Sequence, residues 1–485
     1  MFLVYSKQIR MKLSCTFSVH HPSPIPRMPL HLTPRKVAVI GGGAAGLVAG
    51  RELRREGHKV VVFERGAQPG GTWVYTPEVE SDPLGLDPGR TIVHSSLYSS
   101  LRTNLPREVM GFRDFPFVAT GKADRDPRRF PGHEEVLRYL EDFAHEFRLH
   151  ELVRYQTEVH YVGLETDGMW KVCSRRKVGD DDRKLEEIYD AVVVCIGHYT
   201  EPRVADIPGV EHWPGRQIHS HNYRNPEPYQ DQVVVLIGSS ASAVDISRDI
   251  AGVAKEVHVA SRSKPAGNYG KQPGYDNMWL HPMIEIAYED GRVAFQDGSV
   301  VFADVILHCT GYKYHYPFLH TGGIVNVSDN RVGPLYQHVF PPALAPGLSF
   351  VGLPFRVVPF TLFELQSKWI AGILSGRASL PSKENMMEEV ELFYSKLKAT
   401  GIPKHYTHRL AEQQFEYDDW LAAESGSPPV EEWRKKMYFA TGANRKIRPE
   451  TYRDEWDDDE LILQAHEDFL QYLPTQGSPL IAPAL

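Results

Sequence analysis

At 485 residues the chain exceeds a single ordinary core, and its length predicts two or three domains, with two the starting point. An apolar fraction of 42% and a charged fraction of 24% describe a globular protein and exclude a disordered or fibrous one. A net charge of −8, with no basic stripe interleaved with aromatic residues, excludes a nucleic-acid partner.

In chain order, residues 1–34 contain no Asp or Glu but carry Lys7, Arg10, Lys12 and Arg27. That bias reads as a targeting leader or, if Met11 or Met28 is the working start, as an unstructured extension. From Lys36 the run Val37-Ala38-Val39-Ile40 predicts a buried parallel strand ending in Gly41-Gly42-Gly43-Ala44-Ala45-Gly46. A helix follows to about Glu56, Gly57 stops it, and residues 59–64 give a second strand, closing a βαβ unit. Residues 177–187 are charge-dense and predict a solvated hairpin tip; residues 191–197 and 304–311 are strands ending in small-residue turns. A second βαβ unit comprises Val233–Ile237, a tight turn at 238–243, a helix over 244–250, and Glu256–Ala260. Beyond Pro359 the chain is helical, with 365–374 the clearest amphipathic piece, and the acidic stretch 454–460 reads as solvated surface.

Cys15, Cys173, Cys195 and Cys309 are widely separated with no CxxC pair, so neither a metal site nor a redox dithiol is expected. A reducing compartment suits them, and no window reaches the roughly 18 apolar residues of a membrane span. A cytoplasmic enzyme with no transmembrane segment is the expectation. Cys195 and Cys309, at strand ends, read as small packing residues.

In the first turn Gly41 permits a sharp bend, Gly43 lets a pyrophosphate approach the backbone, and Gly46 lets helix and strand pack closely. The helix N-terminus, at Ala44 and Ala45, then turns its positive end to the phosphate. Glu64 closes the next strand, where a carboxylate binds ribose hydroxyls and repels a 2′-phosphate, so this turn should hold FAD or NAD. Arg65 and the run Gly70-Gly71-Thr72-Trp73 follow as a loop expected against the cofactor. The second turn, Gly238-Ser239-Ser240-Ala241-Ser242-Ala243, departs from glycine at its third and sixth places. It is followed by Ser261-Arg262-Ser263, which offers a guanidinium and hydroxyls instead of an acid and so suits NADPH.

An aromatic residue followed by Gly two places on, His six on and a second aromatic ten on occurs at Trp213, Gly215, His219 and Tyr223. With SSLYSSLRTN at 95–104, Phe115-Pro116-Phe117 and Cys309-Thr310-Gly311-Tyr312, the chain resembles the flavin-containing monooxygenases, Trp213 standing where that family usually has Phe. The resemblance spans about residues 35–460. It is nearest the plant glucosinolate S-oxygenase branch through GKQPGYDNMWLH (270–281), HVFPPALAPGLSF (338–350) and FELQSKWIAGILSG (363–376).

The resemblance implies an α/β fold of two Rossmann-like domains: an FAD domain in two segments, 35–205 and 318–485, and an NADPH domain, 206–317, inserted between them. It also implies a mechanism in which reduced flavin and O₂ form a C4a-hydroperoxide that is protected from water until a thioether sulfur takes one oxygen. Asn104 is carried over as the residue beside the flavin's reactive edge, and His198 is a candidate for contact near it. Gln366 is placed either near the flavin ring or on the solvent face of its helix, and His219 is structural. The rival readings are an N-oxygenating or auxin-forming flavin monooxygenase and a silent flavin-binding protein. A disulfide oxidoreductase would need the cysteine pair that the chain lacks.

Overall fold

Apolar along almost its whole length, the strand Lys36–Ile40 can be buried on both faces, and it is the centre of a five-stranded parallel sheet. The computed structural model describes residues 33–178, 181–262 and 269–473, so the leader expected over 1–34 falls almost wholly outside the described residues, as do Cys15 and Ser263. Strand order in the sheet is Leu348–Phe350, Ala191–Val194, Lys36–Ile40, Lys59–Phe63, Val153–Arg154. A helix, Ala44–Arg55, follows the first strand and is terminated by Gly57 in a left-handed conformation at φ 90°, as the sequence predicts.

The helix Pro359–Ser375 departs from expectation. The departure is not in its bounds: it begins at Pro359, where the chain was expected to turn helical and where proline pre-sets the first helical φ, and it ends at Gly376 in the left-handed conformation. It is buried on nearly every face instead of amphipathic, since Phe360, Leu365 and Trp369 share one core with Leu47 and Leu53 of the first helix and Leu421 of the helix Gln414–Ser425. From this helix Glu364 meets the buried Arg51 of the first helix at 3.3 Å. The same guanidinium pairs with Glu52 at 2.7 Å and Asp114 at 2.8 Å and lies over the Phe143 ring at 4.7 Å.

The second sheet has six strands in the order Gly270–Lys271, Met278–His281, Glu256–Ala260, Val233–Ile237, Val305–His308, Arg216–His219. All pair in parallel except the edge strand Gly270–Lys271. Its helix, Ala241–Ala251, starts earlier than the sequence suggested, at the N-cap Ser240, so half of the expected turn is helix. Every strand of this sheet comes from the stretch of chain between two neighbouring strands of the first, Ala191–Val194 and Leu348–Phe350. The second Rossmann-like unit is thus inserted into the first. The chain leaves and returns through the antiparallel pair Glu201–Pro202 and Tyr312–Lys313. Trp170–Val178 and Asp181–Tyr189 form the charged hairpin foreseen around 177–187. Among the described residues no helix is long and apolar enough to cross a membrane.

One core carboxyl is a liability that pH exposes. Asp418, on the helix Gln414–Ser425, is fully buried with neither oxygen hydrogen-bonded among the described residues, and burial pushes its pKa well above the carboxylate range. A raised carboxyl pKa costs nothing below the unfolded value near 4; as pH rises past it, the unfolded chain releases a proton that the folded chain keeps, so stability falls until the folded pKa is reached. Asp418→Asn should therefore unfold at a higher temperature than the native chain, with a gap that widens between about pH 5.5 and pH 8 by up to roughly 1.4 kcal/mol per unit. A gap independent of pH in thermal denaturation would show that the carboxyl is ionised in the fold.

Candidate functional site

Both parallel sheets send the carboxyl ends of their strands into turns of the same construction. Gly41 sits at φ 107°, and a Cβ there would lie 2.6 Å from the Cys195 carbonyl oxygen; Gly238 sits at φ 131°, and a Cβ there would lie 2.5 Å from that of Cys309. The two cysteines occupy equivalent positions on the neighbouring strand, buried, with their thiol pKa pushed up by burial, as packing residues should be. At Gly46 a Cβ would come within 1.8 Å of the Gly41 oxygen, which makes glycine a requirement of the turn itself. Gly43 differs: a Cβ there would meet nothing nearer than Gly71 Cα at 3.4 Å, an ordinary contact. The protein's own packing does not demand glycine at 43, whereas an incoming phosphate would.

No side chain caps the helix that begins at Ala44, so the amides of Ala44, Ala45 and Gly46 open it with the positive end of its dipole. Glu64 stands beside them, its Oε2 accepting from Gly42 N at 2.7 Å and its Oε1 from Gly66 N at 2.6 Å. Each carboxylate oxygen keeps acceptor capacity for a hydroxyl. Arg65 is exposed. Gly70 and Gly71, both at positive φ, bring the Gly71–Trp73 turn against Gly43, where a Cβ on Gly71 would be 2.9 Å from Gly43 Cα. Thr72 is held by its carbonyl, which accepts from Ser95 Oγ at 3.1 Å.

The second turn is more open. Ser239, Ser240, Ala241 and Ser242 are exposed, no side chain caps the helix, and only Ala243 is buried. Arg262 is exposed just past Glu256–Ala260, but Ser261 turns inward, so its hydroxyl is not the surface group that the sequence suggested.

The spaced aromatic, glycine and histidine residues build the crossing between the two sheets. The Trp213 ring covers Gly215, where a Cβ would come within 2.1 Å of it. His219 Nδ1 accepts from the His221 amide at 3.1 Å, so its proton is on Nε2, which donates to Gly311 O at 3.0 Å. Burial holds this imidazole neutral, with its pKa lowered to about 3. Tyr223 donates to Asp249 on the helix Ala241–Ala251 at 2.5 Å.

A family model described as flavin-binding monooxygenase-like matches residues 34–268 and 278–430. The chain belongs to this family and is a flavin-dependent monooxygenase. It is 63% identical over 443 residues to the flavin-containing monooxygenase FMO GS-OX-like 4 of Arabidopsis thaliana, covering 90% of this chain and 97% of that one. Among solved structures, the S-allyl-L-cysteine S-oxygenase of Allium sativum is 63% identical with a TM-score of 0.89, over 91% of this chain and 100% of that one. Tmm from a Pelagibacter species is 27% identical with a TM-score of 0.72, over 87% and 93% of the two chains. The chain thus sits within the plant GS-OX-like branch of the flavin monooxygenases.

In this flavin monooxygenase Asn104 is exposed and makes no hydrogen bond among the described residues, while Thr103 before it is buried and pinned by its amide to Pro131 O at 2.9 Å. His198 lies past the end of Ala191–Val194, between Tyr199 and Tyr314. Burial lowers its pKa to about 4, against the opposing pull of the Gly352 backbone beside the ring. Gln366 is neither solvent-facing nor free: its Oε1 accepts from Gly352 N at 2.9 Å and its Nε2 donates to Tyr417 at 3.1 Å, so it braces the end of Leu348–Phe350 from the core. The stretch 454–460 is likewise more than solvated surface, because Asp458 is half-buried against Arg129 at 2.6 Å and Asp454 holds Arg102 at 2.7 Å. Sequence reading missed Arg453, Asp245 and Arg224, all of which bridge distant segments. The acidic run around Arg453 hid it as a surface charge.

The two glycines of the first turn should separate in their effects. Gly46→Ala should lower the unfolding temperature and the flavin content together, since a Cβ 1.8 Å from the Gly41 oxygen breaks the turn. Gly43→Ala should fold with an apoprotein unfolding temperature near that of the native apoprotein, yet retain less flavin per chain by absorbance. Parallel losses in both variants would show that Gly43 serves the fold alone.

Proposed function

We propose that the chain holds FAD on the first glycine turn and NADPH on the second, and that it transfers one atom of O₂ to a thioether sulfur. The balanced reaction is sulfide, O₂, NADPH and a proton giving sulfoxide, NADP⁺ and water. The observation that carries the sulfur assignment is the 63% identity over the whole length of a chain known as an S-allyl-L-cysteine S-oxygenase. We divide the chain into an FAD domain over 35–205 and 318–485 and an NADPH domain over 206–317. Three free buried cysteines, Cys173, Cys195 and Cys309, fit a reducing cytoplasm.

In this reading the uncapped amides at Ala44, Ala45 and Gly46 meet the FAD pyrophosphate beside Gly41 and Gly43, and Glu64 accepts from the adenosine ribose. Arg65, Gly71, Thr72 and Trp73 line the same cofactor, and Gln366 acts on it through Gly352. Bound FAD supplies the oxygen activation and transfer. Gly238, Ser239, Ser240, Ala241, Ser242 and Ala243 form the second phosphate turn, and the exposed Arg262 faces the 2′-phosphate. Asn104 donates its amide to the reacting region and positions the sulfide; an amide does not titrate near neutrality, so it works by holding, not by moving a proton.

Arg262→Ala should raise the Kd for NADPH about 10- to 100-fold while leaving NADH nearly unchanged, the loss of one charge-assisted contact. Equal losses for both nucleotides, by titration of the flavoprotein, would assign the 2′-phosphate to another residue. Asn104→Ala should keep FAD and still oxidise NADPH, with H₂O₂ replacing sulfoxide among the products at a cost of about 1–3 kcal/mol in oxygen transfer. An unchanged sulfoxide yield with a thioether panel would remove Asn104 from the site.

A further inference from the structure

Arg453 spends its three guanidinium nitrogens on two elements that the chain separates by well over a hundred residues. Its Nε donates to the carbonyl oxygen of Thr103 at 2.9 Å, the peptide that leads into Asn104. Its Nη2 and Nη1 reach the two oxygens of Asp245 at 2.7 and 3.3 Å, one turn into the second nucleotide helix, Ala241–Ala251. The side chains of Arg453 and Asp245 are only 15% and 18% exposed, so the pair is shielded enough to matter.

The surroundings repeat the same link. Tyr98 donates to Asp245 at 3.3 Å, and Ser100 donates to Asp249, one turn further along the helix, at 2.9 Å. Arg102 is clamped by Asp454 at 2.7 and 3.0 Å. Arg248 on the same helix is held by Pro449 O at 2.9 Å and Glu450 at 2.7 Å. Residues 449–458 therefore form a strap laid over both the loop 98–104 and the helix. Within it Arg453 alone contacts the Thr103 carbonyl and the helix together.

We propose that Arg453 is a positioning residue that ties the Thr103–Asn104 peptide to the second nucleotide helix, so that nucleotide bound at the helix N-terminus sets where Asn104 stands. This rests on the NADP(H) and Asn104 assignments above. A lysine cannot replace the fork: its ammonium is a point charge that can pair with Asp245 but lacks the planar set of donors that reaches Thr103 at the same time. The link is physical because helix, guanidinium and loop form one bonded chain, and a shift at the turn of the helix is delivered to the peptide before Asn104.

The test uses the flavin-loaded protein and NADP⁺ with no thioether, read by amide hydrogen exchange. In the native protein NADP⁺ should slow exchange both at residues 238–246 and at 99–105. In Arg453→Lys and in Asp245→Ala, with full flavin content, saturating NADP⁺ should still protect 238–246, while its effect on 99–105 falls at least about fivefold. A response at 99–105 that is absent from the native protein, or unchanged in both variants, overturns the proposal. Loss of flavin or of all NADP⁺ protection in both variants overturns it too, since Arg453 would then be structural. Arg453→Lys should also shift product from sulfoxide to H₂O₂. If Asn104→Ala has native sulfoxide yield while the exchange link is present, the Asn104 reading fails and the Arg453 link stands; if the link is absent while Asn104→Ala loses sulfoxide, the reverse holds.

Discussion

A backbone contact decides the architecture of this chain: the helix Ala44–Arg55 can begin where it does only because nothing larger than hydrogen stands at Gly41 and Gly46. The Gly46 Cα lies over the Gly41 carbonyl, and Gly41 lies over that of Cys195, so strand, turn and helix close at van der Waals distance. That closure leaves the first amides of the helix uncapped, with Glu64 bonded to Gly42 beside them. The second turn repeats the first half of this device, Gly238 against Cys309, but accepts Ala243 where the first has Gly46. Two uncapped helix ends result, one largely buried and one open to solvent.

Holding the two units together is a matter of buried charge. The inserted unit joins its host through a single two-stranded crossing, and buried cations fasten the segments around it. Arg224 donates to the carbonyls of Thr76, Glu78, Ser95, His221 and Tyr223, binding the loop after the first site to the entry of the second unit. Arg90 joins Glu80 at 2.7 Å to Glu201 on the crossing strand at 2.8 Å, and His221 closes on Glu80 at 3.2 Å. Removing one member of such a set would leave an uncompensated charge out of water, which is why the whole set persists.

Two histidines at or past strand ends are held neutral by burial: His198 near 4 and His219 near 3. Neither is poised to exchange protons near neutrality, and the cysteine thiols at the strand ends are raised still further from ionising. Under the proposed function the chain's own contribution is correspondingly one of binding and positioning, with reactivity left to the flavin.

Much of this was legible in the sequence because short-range rules govern it. The apolar runs at 37–40 and 233–237, the glycine turns after them, the stop at Gly57 and the acid at Glu64 are local statements about strand burial, backbone sterics and spacing, and the structure keeps each of them. Where neighbours in space decide, local reading failed. The helix Pro359–Ser375 looked amphipathic over part of its length, but it is packed between two other helices, so its polar Gln366 and Glu364 serve the core. Ser261 looked like a surface hydroxyl and points inward. The acidic stretch after residue 453 looked solvated, yet Asp454 and Asp458 clamp arginines from the first third of the chain, and Arg453 joins the loop before Asn104 to a helix of the inserted unit. Sequence by itself determined the two Rossmann-like folds, since strand burial and the glycine spacing are written in contiguous residues; the tertiary structure alone decided which charges join them, because a guanidinium's partners are set by what folding brings within about 3 Å of it.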